Sequence, residues 1–238
     1  MLHRHWKVLP HGPLMQIDDG ILTVTGPIRM PLGSFPRRMT VVRLSGSRLV
    51  VWSAISLGDE EMARLEALGQ PAFLIVPNGI HRIDAAAWKE RYPQLQVVAP
   101  DGARKKVGKV VHVDRSAPDF GDSNVRFHSV AGTRERESAL IVHTPSGTTL
   151  VLNDIVGNIR DASGIAGSLL RLAGFAGDAP RIPRVAKSKL VADANALRAQ
   201  LLQWAEIRSL KRILVSHGEP IDVNPRQALR HLAASLAK

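Results

Sequence analysis

The chain has 238 residues, long enough for one large domain or two small ones, and 45% of them are hydrophobic, ample for a sizeable core. It contains no cysteine, so disulfides, thiolate metal sites and cysteine nucleophiles are excluded, and any metal must be held by His, Asp, Glu or water. A formal net charge of +11 raises nucleic acid as a partner, but the basic residues scatter over loops such as "RKKVGK" (104–109), "RIPRVAKSK" (181–189) and "RSLKR" (208–212), and aromatics make up only 4% of the chain, so base-stacking surfaces are scarce.

The first twenty residues lack the apolar run of a secretion signal, and no stretch approaches the eighteen apolar residues of a membrane span. The expectation is a cytoplasmic protein without membrane contact. "GILTVTG" (20–26) reads as a strand after the turn signal Asp18-Asp19-Gly20. "MTVVRL" (39–44) and "RLVVWS" (48–53) flank Ser45-Gly46-Ser47 as a second hairpin. "GDEEMARLEALG" (58–69) has acids in its first turn and Gly69 at its end, the pattern of a helix. "PAFLIVP" (71–77) is continuously apolar, as suits a strand buried on both faces.

After the loop "NGIHRID" (78–84), "AAAWKERYP" (85–93) predicts a short helix stopped by Pro93, and "LQVVAP" (95–100) and "KVVHVD" (109–114) predict strands. Three further strands follow: "VRFHSV" (125–130), "ESALIVHT" (137–144) and "TTLVLND" (148–154), the last two joined by Pro145-Ser146-Gly147. From about residue 161 the pattern is helical, and 180–188, with Pro180 and Pro183, reads as a linker. "SKLVADANALRAQLLQWAEI" (188–207) predicts a helix capped by Ser188. "KRILVSHG" (211–218) predicts a last buried strand, and the helix after it has Asn224 as cap and Pro225 at its first position. No repeat or domain boundary is visible. The order predicts one α/β domain over 1–238, a four-layer α/β/β/α sandwich of two mixed sheets. Its core should include Leu74, Ile75, Val76, Ile141, Val142, Leu150, Val151, Leu152, Ile213, Leu214 and Val215.

Three strands end in groups that can bind metal: His81 in the first loop, Asp154 at the end of "TTLVLND", and His217 in "RILVSHGEP". Ligands of open α/β sheets gather at the carboxyl ends of strands, and two His with one Asp suit zinc, iron or manganese. Each residue also has a plainer reading: a hydrogen-bonded loop His, an Asx turn, a strand-end turn. Asp84 is the candidate for catalytic work, and Asp84, Glu135 and Glu219 could supplement the ligands.

The stretches "RMTVVRLSGSRLVVWSAISL" (38–57), "LIVPNGIHRIDAAAWKERYP" (74–93), "VVAPDGARKK" (97–106), "LVLNDIVGNI" (150–159) and "LVSHGEPI" (214–221) resemble the metallo-β-lactamase-fold superfamily over nearly the whole chain. Among its members they look most like a branch defined as a domain of unknown function. The resemblance implies one or two zinc, iron or manganese ions and water attacking an ester, amide, thioester or phosphodiester. It also implies a His-x-His-x-Asp-His loop, a Gly-His turn, a bridging Asp and a final His. Asp154 falls at the bridging Asp and His217 at the final His. In the loop, however, Asn78, Ile80, Arg82 and Ile83 stand where the His, His, Asp and His belong. His81 lies one residue off register, and Thr133 follows Gly132 where the turn histidine would be.

The motif is therefore degenerate, and a centre of at most one ion from His81, Asp154 and His217 is expected. The leading reading is a metal-dependent hydrolase with one zinc, iron or manganese ion. The alternative is a metal-free binding or non-catalytic member of the fold, with Arg82 or Arg134 attracting a small anionic ligand. Nucleic-acid association ranks third.

Overall fold

The opening hairpin turns at Asp19 and Gly20, where Gly20 has φ +67, and leads from β1 (Met15–Asp18) into β2 (Ile21–Met30). The structure is a computed structural model that describes residues 2–30, 33–160, 164–172 and 174–237. Strand β3 (Gly33–Leu44) returns antiparallel to β2, and β4 (Arg48–Trp52) returns antiparallel to β3. Helix α1 (Asp59–Leu68) then carries the chain over to β5 (Gln70–Ile75), parallel to β4. Helix α2 (Ala85–Arg91) makes a second crossover to β6 (Gln96–Val98), parallel to β5. These six strands form the first mixed sheet, in chain order.

The second sheet has the order β10–β9–β8–β7. It contains β7 (Val125–Ser129), β8 (Ser138–Thr144) and β9 (Gly147–Asn158) as an antiparallel meander, with β10 (Leu210–Gly218) added parallel to β9. Helices α3 (Asp101–Val107), α4 (Gly164–Leu172), α5 (Arg184–Lys189), α6 (Ala194–Ala205) and α7 (Pro225–Ala234) complete the fold.

Side-chain alternation assigns the layers. In β4, Leu49 and Val51 pack outward with Met62, Leu65 and Trp88 of the helices, whereas Val50 and Trp52 face the other sheet. In β9, Leu150 and Leu152 join Leu201 and Leu229 of α6 and α7, while Val151 meets Val50 and Ile75 in the core between sheets. The result is the expected α/β/β/α sandwich, and all eleven residues expected in the core are buried.

Several local expectations are corrected. Residues 109–114 are not a strand. They leave α3, itself absent from the sequence reading, through a turn in which Val111 N bonds Val107 O, and only Arg115 bridges to Val98. Asp114 blocks a ladder there, because its carboxylate accepts from Val97 N at 2.7 Å. The 188–207 helix is two elements. Part of the supposed linker is α5, and the cap of α6 is Asp193, whose Oδ1 accepts from Asn195 N (2.9 Å) and Ala196 N (3.0 Å). Ser188 instead donates to Val185 O within α5. Asn224 does precede α7, but in a left-handed conformation (φ 50) without a side-chain cap bond. The helical reading from 161 is met by α4; residues 161–163 and 173 lie outside the described residues.

Candidate metal centre

Strand β5 ends at Ile75, and Asn78 opens the loop that follows, its side chain fully buried. Asn readily bonds the amides that follow it, and Asn78 Oδ1 accepts from Ile80 N (2.8 Å) and His81 N (3.1 Å). This turn brings His81 across to the second sheet. A Cβ at Gly79 would lie 2.8 Å from Cδ of Lys106, whose side chain covers the loop and would have to shift to admit it.

Asp154 is presented by an irregularity rather than by a strand end, which corrects the expectation that its strand would stop there. Strand β9 continues to Asn158. Val215 pairs with Leu152, but His217 pairs with Gly157, so two steps along β10 face five along β9. The three additional residues form a bulge that turns Asp154 toward His217. His217 is the penultimate residue of β10. Gly218 follows at φ +106, and a Cβ there would come within 2.1 Å of Asn158 O, so β10 can close against β9 only with glycine.

The three donor atoms meet. Asp154 Oδ1 lies 2.9 Å from His217 Nε2 and 3.0 Å from His81 Nε2, and the two Nε2 atoms are 3.1 Å apart. The side chains are 4 to 8% exposed. Among the described residues, these three form the one group of His, Asp or Glu donors able to hold a metal ion. Their outer atoms are also engaged. His217 Nδ1 is 2.6 Å from Pro36 O, His81 Nδ1 is 2.8 Å from Ser53 Oγ, and Phe35 packs against the His217 ring at 4.3 Å between centroids.

The carbonyl of Pro36 can only accept, so His217 must donate to it from Nδ1. A neutral His217 then has a bare lone pair on Nε2, aimed at a carboxylate oxygen that also carries lone pairs. That contact is repulsive unless a cation, either a proton or a metal ion, lies between the two atoms. A ring held through Nδ1 with Nε2 left for the ion is the usual arrangement of a metal-ligating histidine. The donor set therefore fits a single divalent cation.

Behind Asp154 lies a second buried carboxylate, Glu137, at 0% exposure. The Asn78 amide separates the two: Nδ2 donates to Asp154 Oδ2 (2.7 Å) and to Glu137 Oε2 (2.8 Å), while Glu137 Oε1 accepts from Asp154 N (2.8 Å). Burial, then the nearby Asp154 charge, pushes the Glu137 carboxyl well above the usual range. Burial also acts to raise Asp154, but His81 and His217 outweigh it and hold that carboxyl well below its usual value. With Oδ2 accepting from Asn78, Oδ1 is the Asp154 oxygen turned to the two histidines.

The remaining sequence candidates lie apart from this group. The Asp84 carboxylate is fully buried, bound by Arg37 (2.6 Å), His3 (2.7 Å) and Ser56 (3.2 Å), and is not one of the three converging donors. Glu135 and Glu219 are exposed and outside the metal group, and Thr133 is buried and donates to Val130 O. Sequence reasoning missed Glu137, Ser53, Pro36 and Arg38. Arg38 is buried and donates to Val215 O (3.2 Å) and Gly218 O (2.9 Å), gripping β10 on both sides of His217. Glu137 had a signal, as an acid opening an otherwise apolar strand; the Pro36 carbonyl had none.

No protein-family model and no curated protein sequence matches the chain. Solved structures do. The metallo-β-lactamase FIM-1 from Pseudomonas aeruginosa in its mono-zinc form superposes with a TM-score of 0.64 at 12% identity, over 96% of this chain and 97% of that one. TMB-1 gives 0.65 at 13%, over 97% and 100%. A metallo-β-lactamase from Hirschia baltica gives 0.61 at 11%, over 93% and 98%. The chain has the metallo-β-lactamase fold.

Proposed function

We propose that this protein is a metal-dependent enzyme of hydrolase type whose single divalent cation is held by His81, Asp154 and His217. One observation carries the reading: His217 commits Nδ1 to the Pro36 carbonyl while its Nε2 stands 2.9 Å from a carboxylate oxygen, a contact that needs a cation to be favourable. Support also comes from the fold, since FIM-1 is known in a mono-zinc form.

Bound at these three donors, such an ion supplies Lewis acidity and a water of lowered pKa, the chemistry that cleaves esters, amides, thioesters and phosphodiesters. The protein's own groups do the positioning. Pro36 and Ser53 fix the two rings from behind. Asn78 both shapes the His81 turn and holds Asp154 through Oδ2. Asp84 serves as an anchor, tying His3 and Arg37 to the start of α2, and is not assigned proton transfer. Arg82 donates to the Lys106 carbonyl beside the loop, and the two side chains supply positive charge for a small anionic substrate. Among the described residues no helix is long and apolar enough to cross a membrane.

A metal-free binding role is the second reading, favoured by the fact that protons on the two histidines also close the contacts to Asp154. Elemental analysis of untagged protein purified without chelator, beside the variant His217→Ala, decides between them. We expect about one equivalent of zinc, iron or manganese, lost in the variant. No stoichiometric metal after incubation with each ion would reject the enzyme reading in favour of the metal-free one.

A further inference from the structure

We infer that His3 is a positioning residue for the candidate metal centre, locking the exit of the His81 loop to the stretch of β3 that holds His217; this rests on the single-ion reading above. Residues 3–14, before β1, form neither helix nor strand. They cross the outer core of the first sheet as a strap held at separate points. Trp6 Nε1 donates to Leu57 O (3.0 Å), His11 Nε2 accepts from Gly58 N (3.0 Å), and Gly12 N donates to Thr25 O (2.8 Å). The far end of the strap enters the protein. His3 is 5% exposed, its backbone N–H donates to Ile83 O (2.8 Å), and its Nδ1 donates to Asp84 Oδ1 (2.7 Å). Those two acceptors close the loop that carries His81, as Asn78 opens it.

The other Asp84 oxygen, Oδ2, accepts from Arg37 Nη1 at 2.6 Å. Arg37 stands between Pro36, whose carbonyl holds the His217 ring, and Arg38, which grips β10 on both sides of that ring. A continuous path of covalent and hydrogen bonds thus joins the two imidazoles without passing through the donor atoms: His81, Asp84, Arg37, Pro36, His217. His3 fixes the middle of that path. Stability alone is a poor account of the cluster, because a buried ion pair gains little over apolar residues of the same volume. The pairing is also incomplete, since Arg37 Nε and His3 Nε2 are buried without a hydrogen-bond partner. What the contacts supply is direction. Each carboxylate oxygen has its own donor, from elements distant in sequence, so the loop exit has one seat. Ser56 adds a bond to Oδ1 at 3.2 Å, longer than the usual hydroxyl–carboxylate contact, which leaves His3 the principal partner of that oxygen.

The test compares His3→Ala, His3→Asn and Trp6→Phe in the full chain. Asn places an amide N–H where Nδ1 lies and so keeps the bond to Asp84, whereas Trp6→Phe weakens the strap without touching Asp84. Hydrogen exchange of the Ile80 and His81 amides, measured on metal-free protein, reads the loop without reference to any ion. We expect exchange about tenfold faster in His3→Ala and close to wild type in the other two variants. Titration with zinc should show affinity about tenfold weaker in His3→Ala and restored in His3→Asn. A merely structural contact would lower the urea midpoints of His3→Ala and Trp6→Phe while leaving loop exchange and zinc affinity as in wild type, and that result would overturn the role of His3. If the wild-type protein binds neither zinc, iron nor manganese, the metal-dependent reading falls, and loop exchange alone decides whether His3 positions His81.

Discussion

Replacing Asn78 by Asp should cost the metal-free protein about 3–5 kcal/mol. The substitution preserves shape and keeps an oxygen to accept from the Ile80 and His81 amides, so the loop turn survives. What changes is the other end of the side chain. Nδ2 now donates to Asp154 at 2.7 Å and to Glu137 at 2.8 Å, and an oxygen there would face both carboxylates with no proton to offer. Two hydrogen bonds to carboxylates are lost, each worth roughly 1.5–3 kcal/mol. Three acids would then share one buried space, and protonation of one of them limits the total. The assay is urea denaturation of chelator-treated protein, followed by the fluorescence of the four tryptophans. A divalent cation at 100 times its dissociation constant should return about 2.7 kcal/mol to a protein that binds it only when folded. The variant's deficit should shrink when the cation is added, since the extra carboxylate welcomes it. A deficit under about 1 kcal/mol without metal, or one that metal does not reduce, would show that the Asn78 amide is not what keeps Glu137 and Asp154 together.

Arg38→Met should lose about 2–3 kcal/mol in urea denaturation, because it removes donors to Val215 O, Gly218 O and Thr23 Oγ1, and only part is regained by relieving a buried charge. It should also weaken metal binding, which isothermal titration would detect; unchanged affinity would deny Arg38 a part in placing His217. Asp18→Asn removes contacts to Ser146, Arg212 and Lys211 that join the first hairpin to the second sheet, and should cost about 2 kcal/mol at neutral pH. Burial acts to raise the Asp18 carboxyl, but its hydrogen bonds and the two cations hold it below the ordinary 3.8. Its stabilisation is therefore complete above that value and is lost as pH falls through the folded-state pKa. Denaturation curves of the two proteins should accordingly converge in acid, and a deficit that persists there would refute the ionic origin.

The two sheets were legible because their strands carry strong signals: continuous apolar runs in β4, β5 and β10, and turn residues at Asp19-Gly20 and Ser146-Gly147. Where the sequence reading failed, long-range contacts had overridden local pattern. Val111 and Val113 alternate as a strand does, yet they fill the outer core while Asp114 ends the β6 ladder. Ser188 was the expected cap, but it is Asp193, five residues on, that faces the free helix amides. At the site, His81, Asp154 and His217 stood out by residue type and by their place near strand ends. The bulge that aims Asp154 was invisible, since it exists only in the pairing of β9 with β10. Asn78 was read as a missing ligand, although its amide is what divides the two carboxylates.

The first sheet is drawn entirely from residues 15–98 and the second from 125–218. The donors divide along the same seam, with His81 from the first half and Asp154 and His217 from the second. A cation gripped by both halves would act as a rivet, and its affinity and the docking of the halves would be one free energy measured from two directions. Contacts that never approach the ion, such as Asp18 with Arg212 or Arg38 with Gly218, would then help set how tightly it is held. Withdrawing the ion would loosen the seam before it melted either sheet, so the first motion of the depleted protein would be a parting of its halves.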